Sequence, residues 1–166
     1  MSEKREVFIA KLAALIIFFL LCLQFRAYAG YNARDKITRL FLHYNNKITL
    51  QYALRLSRIV FREGGKYNIN PNIIAAIIVR ESGVRSRVIS RTGDYGLMQI
   101  HLKAHRKKIK SVEDLFNPEI NIALGTQIFA NCLKHSKSLR GALIRYSGGN
   151  KTMAERVLKT LRELER

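Results

Sequence analysis

Glu81 is the residue of this chain best placed for acid–base chemistry. It follows Ile77, Ile78 and Val79 at the end of a strongly apolar segment, so its carboxyl is expected to be partly desolvated. Desolvation disfavours the charged form and raises a carboxyl's pKa. A carboxylic acid held protonated near neutral pH is what general-acid cleavage of a glycosidic bond requires. The plainer reading is a solvated helix-end glutamate paired with Arg80 or Arg85. Three further polar groups stand at fixed spacings from it. Ser90 lies nine residues on and Gln99 eighteen on, the latter inside GDYGLMQIH at 93–101. Tyr146 immediately precedes Ser147-Gly148-Gly149. A glutamine within an apolar run such as Leu97-Met98-Gln99-Ile100 needs hydrogen-bond partners or it costs stability. It is either bonded to backbone at a turn or held in a cleft to grip a ligand.

Other candidate groups are few. Between Glu81 and Tyr146 the remaining acids are Asp94, Glu113, Asp114 and Glu119. The last three read as charges at helix starts, which leaves Asp94 as the one rival second carboxylate. His101 and His105 are spaced i, i+4, but no cysteine or acid lies among residues 101–108 to complete a metal site. They read as surface histidines, and no metal or cofactor is implied. Cys132 sits in an apolar helical run and reads as a small buried hydrophobe.

These groups must be positioned by helices. Ile37, Leu40, Phe41 and Tyr44 share one face of a helix over about 32–44. Tyr52, Leu56, Ile59 and Val60 do so over 49–63, with Gly64-Gly65 as its stop. Asn70 caps a third helix, Pro71 suits its first position, and Ile73, Ile74, Ile77 and Ile78 form its stripe, ending near Gly83. Residues 83–96 read as a loop, and 113–116 as a short helix. A helix from Pro118 to about His135 carries Ile120, Ala123, Leu124, Ile128 and Leu133 inward. Helices over 138–146 and 151–164 complete an all-α domain.

The N-terminus bears Lys4, Arg5 and Lys11, an apolar run from Leu12 to Leu23, and Ala27-Tyr28-Ala29. These are the three parts of a secretory signal, and the apolar run is shorter than the ~20 residues a spanning helix needs. Residues 1–29 are therefore read as a signal peptide or a retained anchor, 30–48 as a helical extension, and 49–166 as the catalytic domain. The 166-residue chain has a formal net charge of +18. The N-terminal segment contributes little of that excess, so the rest is strongly basic and suits a polyanionic partner. An exported protein argues against nucleic acid as that partner. With Cys22 in the signal, Cys132 is left alone and no internal disulfide forms.

Four segments in order resemble the lytic transglycosylases of the soluble-type (SLT) catalytic domain, which share the goose-type lysozyme fold. They are Glu81-Ser82, Gly96-Leu97-Met98-Gln99, Asn117-Pro118-Glu119-Ile120-Asn121-Ile122-Ala123-Leu124-Gly125, and Ala142 through Tyr146-Ser147-Gly148-Gly149. The resemblance covers about residues 50–150. It implies a single lysozyme-like domain with a glycan cleft and Glu81 as the one catalytic acid/base. Tyr146 would hydrogen-bond and orient Glu81. Ser90 and Gln99 would bond sugar, Met98 would pack beneath it, and Gly93 and Gly96 would let backbone approach it closely. Ser147 departs from the family's asparagine; a hydroxyl there is expected to bond the loop backbone. Asp94-Tyr95 resembles the small branch attached to secretion and conjugation systems.

The resemblance implies a periplasmic or envelope enzyme acting on peptidoglycan strands to give 1,6-anhydromuramic ends. The run Arg106-Lys107-Lys108-Ile109-Lys110 is then either solvated charge or a grip for acidic peptide stems or teichoic polymers. A lysozyme-type hydrolase and a catalytically weak peptidoglycan-binding assembly module remain as the alternatives.

Overall fold

The computed structural model describes the backbone of residues 2–165 and the side chains of residues 8–9, 11–24 and 32–165. Contacts divide the chain into Met1–Arg34 and Asp35–Arg166. Helix α1 runs unbroken over Ser2–Tyr44, so no backbone break marks the boundary expected after Ala29. The side chains of Ala27-Tyr28-Ala29 lie outside the described residues. Among the described residues no helix is long and apolar enough to cross a membrane.

Past α1 the regular elements are helices and one small hairpin. The elements are α2 (Leu50–Tyr67), α3 (Pro71–Ser82), β1 (Asp94–Tyr95), β2 (Ile100–His101), α4 (Leu102–His105), α5 (Pro118–Lys134), α6 (Leu139–Tyr146) and α7 (Lys151–Glu165). Two 3₁₀ turns, Arg106–Lys108 and Glu113–Phe116, lie between α4 and α5. This is the all-α, lysozyme-like architecture expected. Side-chain caps start the helices: Thr49, Asn70, Asn117 and Ser138 each accept a bond from a first-turn amide. Such caps satisfy amides that have no partner within the helix.

Helix α3 is the centre of the domain. Ile74 through Val79 are all buried, because α2 covers one side of the helix and α7 another. A helix buried nearly all round can be apolar on nearly every face. α5 packs on α2 and α6, and α6 on α7, which closes the core around Phe41, Leu56, Leu97, Leu115 and Phe129.

Three expectations change. Gly64-Gly65 does not stop α2, which continues to Tyr67 and ends where Asn68 turns left-handed at φ 53°. Gly64 serves packing instead: a Cβ there would sit 2.7 Å from the Ile69 carbonyl oxygen. Ile120 is exposed rather than inward, and Asn121 and Ile122 take the buried positions of that turn. Residues 83–96 are not wholly loop, since Ile89 bridges to Tyr95 and Asp94 begins the hairpin.

Candidate active site

The C-terminal turn of α3 brings Glu81 to the floor of a cleft of about 630 Å³. Neither cation expected to pair with it does so. Arg80 turns away, its Nε donating to Thr160 Oγ1 at 2.6 Å and an Nη to the Tyr44 hydroxyl at 2.8 Å. Arg85 Nε donates to the Ser82 carbonyl at 2.8 Å. The Glu81 carboxyl thus has no hydrogen bond or ion pair among the described residues. Burial, and then the nearby negative charge of Asp94, push its pKa up to about 7.

The hairpin supplies the wall facing Glu81. Asp94 and His101 are register partners across β1–β2, and Asp94 Oδ1 meets His101 Nδ1 at 2.8 Å. The other oxygen of Asp94 accepts from Ser90 Oγ at 2.6 Å and from Thr92 Oγ1. Burial pushes the Asp94 carboxyl up, but the bonds from Ser90, Thr92 and His101 outweigh it and hold it below the usual carboxylate range. Two carboxyls therefore share this cleft with opposite tendencies, Glu81 shifted toward its protonated form and Asp94 toward its ionised form.

Asn121 on α5 fixes the loop between the strands. Its Nδ2 donates to the carbonyls of Tyr95 and Leu115, at 2.9 and 2.7 Å, and its Oδ1 accepts from the Met98 amide at 2.8 Å. Gln99 sits in this turn at φ 47° and lines the cleft. Its Nε2 donates to the Gly96 carbonyl at 2.9 Å, which leaves the amide oxygen unengaged among the described residues. Both readings of Gln99 thus meet: it is bonded to backbone and faces the cleft.

Tyr146, at the end of α6, lines the same cleft. Its hydroxyl donates to the Met98 carbonyl at 2.8 Å rather than to Glu81, a correction to the role expected of it. Its ring meets Phe129 edge-on at 5.7 Å. Burial first, then the charge of Glu81, hold the phenol well above its ordinary pKa, so it stays protonated beside the acid.

The other residues expected at the sugar have protein neighbours of their own. Met98 is fully buried and packs against Gly125. Ser90 is absent from the cleft lining and holds Asp94 from behind. Gly96, at φ 73°, makes room for the protein itself, since a Cβ would run into the Leu115 carbonyl and the Asn121 amide. Gly93, at φ 83°, lies open. Ser147 Oγ stands 2.9 Å from the Leu143 carbonyl and 3.0 Å from that of Asn150, so the hydroxyl does bond the loop backbone.

Sequence reasoning missed His101 and His105 as cleft residues, along with Thr92, Ile128, Arg145, Asn150 and Met153. The i, i+4 spacing of the two histidines was visible, but nothing local said that β2 and α4 would bring them to the cleft. Among the described residues no group of three or more His, Cys, Asp or Glu is placed to hold a metal.

The transglycosylase SLT domain model matches residues 58–164. The chain is 31% identical over 107 residues to the endo-type membrane-bound lytic murein transglycosylase A of Citrobacter koseri, covering 59% of this chain and 52% of that protein. It is 31% identical over 91 residues to the protein of that name in Klebsiella pneumoniae, covering 49% and 45%. The match to the Cronobacter sakazakii protein of the same name is 28% over 101 residues, covering 55% and 49%. The chain thus spans about half the length of the curated relatives it matches.

Proposed function

The chain belongs to the transglycosylase SLT domain family, and from that membership we propose that it is a peptidoglycan lytic transglycosylase with Glu81 as its acid and base. The observation that carries the reading is an unpaired carboxyl, raised to about 7, in a cleft that also holds Gln99 and Tyr146. Glu81 gives its proton to the oxygen joining N-acetylmuramic acid to N-acetylglucosamine, and the bond from the muramoyl C1 to that oxygen breaks. The substrate's acetamido oxygen steadies the electron-poor carbon. Glu81, now a carboxylate, takes the proton of the muramoyl 6-hydroxyl as its oxygen bonds to C1. The product is a 1,6-anhydro end, and the acid is restored. The intramolecular hydroxyl outcompetes water through its effective concentration. The free Gln99 amide oxygen suits a sugar hydroxyl or N–H, and the protonated Tyr146 phenol holds the Met98 turn against the acid.

A second reading, lysozyme-type hydrolysis, is favoured by one observation: Asp94 is an ionised carboxylate in the same cleft. Two carboxyls, one protonated and one ionised, are the usual equipment of a glycoside hydrolase. Asp94 already accepts from Ser90, Thr92 and His101, which favours a fixed negative charge over a free nucleophile.

The test is a digest of purified sacculi read by mass spectrometry. Muropeptides lighter than reducing ends by one water support the transglycosylase, and reducing ends support the hydrolase. Sacculus binding without cleavage supports the inert module. Glu81→Gln should lose roughly 10²–10⁴-fold in lytic rate, the range for removing a general acid. An undiminished rate overturns the assignment. The envelope location and service to a secretion or conjugation machine are part of the same proposal, motivated by the N-terminal segment and by Asp94-Tyr95.

A further inference from the structure

The cleft has a neighbour. A second depression of about 540 Å³ lies beside it, lined by His135, Lys137, Ser138, Arg145 and Gly149 among others, and no acidic residue lines it. Arg145 lines both spaces, and the glycine turn separates them, with Gly148 on the cleft side and Gly149 on the other. A Cβ at either glycine would meet nothing within 4 Å, so the turn is open to solvent on both sides.

The charges in this second space are unspent. Arg145 and Lys137 make no side-chain hydrogen bond or ion pair among the described residues, and neither is among those with unprinted interactions. Arg62 pairs with Glu63 and Glu119, Arg87 with Glu113 and Arg140 with Glu155, whereas Arg58, Arg91, Arg156 and Arg162 are as unpaired as Arg145 among the described residues but line neither space. Glu155, on the neighbouring helix α7, is therefore already held by Arg140 at 2.6 Å. Two unpaired cations beside hydroxyls and free of acids form a receptor for carboxylate.

We propose that this depression, joined to the cleft through Arg145, is a subsite for the carboxylates that hang from muramic acid, so that the protein selects acidic glycan over neutral glycan. This rests on the glycan-cleft reading above. A strand lying in the cleft carries one carboxyl-bearing lactyl group, or the acidic peptide attached to it, on every second sugar. A group that leaves the cleft over the glycine turn meets Arg145 first and Lys137 beyond it. The charge that part of the basic surface carries then has a use at the site itself.

The experiment uses the full chain carrying Glu81→Gln, so that strands stay intact, and measures affinity at low salt for three oligomers of equal length. These are peptide-bearing murein strands, strands stripped of peptide by an amidase, and chito-oligosaccharide, which has no carboxylate. The expected result is a preference of about tenfold for carboxylated strands, the size of one or two charge-assisted contacts. Adding Arg145→Gln or Lys137→Gln should bring the ratio toward one, with thermal melting unchanged because both side chains are exposed. A preference confined to stripped strands assigns the lactyl carboxylate, which the attached peptide converts to an amide, and a preference shared by stripped and peptide-bearing strands shows that either carboxylate fills the subsite. A preference confined to peptide-bearing strands assigns the peptide. Equal affinity for the neutral oligomer, or a preference that survives both substitutions, overturns the subsite while leaving the glycan cleft standing. Binding to none of the three overturns both.

Discussion

Asp94 and His101 face each other across the β1–β2 hairpin, with carboxylate oxygen and imidazole nitrogen 2.8 Å apart. The pair sits in the wall of the cleft that holds Glu81, and its negative charge helps burial to raise the Glu81 carboxyl. That relationship sets the first two predictions.

Lytic activity should decline as pH rises through about 7, where Glu81 gives up the proton it must donate. Stability should follow the same direction. The folded pKa of Glu81 lies above the unfolded value, so between about 4.5 and 7 the native state binds more protons and stability falls with rising pH. Glu81→Gln, which cannot ionise, should therefore be more stable than the parent at pH 8, by roughly 1–3 kcal/mol. Denaturant titrations of both proteins at pH 5 and 8 check this, and a variant that is less stable at pH 8 contradicts it.

Asp94→Asn removes the negative neighbour that helps to raise Glu81. The alkaline limb of the pH–rate profile should move to lower pH, while burial keeps it above the ordinary carboxyl range. An unmoved limb would show that the two carboxyls do not sense each other.

Tyr146→Phe deletes the bond to the Met98 carbonyl and keeps the ring against Phe129. The cost should be about 1–2 kcal/mol, the usual loss when a partly buried acceptor goes unpaired. The effect on rate should come through the Gln99 turn: KM should rise as that residue's cleft position loosens. A melting curve and a KM against kcat comparison separate the two effects.

Asn121→Ala leaves the Tyr95 and Leu115 carbonyls and the Met98 amide without their shared partner. All three are held by a side chain that is 1% exposed, so water does not replace it readily. A loss of roughly 3 kcal/mol or more is expected. Wild-type melting behaviour would show that the loop is held by something else.

The sequence by itself determined the helices, their caps and the apolar setting of Glu81. The stripes Ile37–Phe41 and Ile74–Ile78, the caps Asn70 and Ser138, and the apolar setting of Glu81 are local patterns, and local patterns survive without knowledge of distant residues. Only the tertiary structure decided what surrounds that acid. Arg80 and Arg85 stood next to Glu81 in sequence and bond elsewhere, while Asp94, thirteen positions on, supplies the charge it feels. Met98, Ser90 and Gly96 proved to be surrounded by protein groups, Gly125, Asp94 and Asn121 respectively, which no local pattern announced. Arg145 became notable only when the glycine turn set it between two cavities. Periodicity reports which face of an element is buried, but desolvation and charge pairing depend on which elements meet, and packing alone settles that.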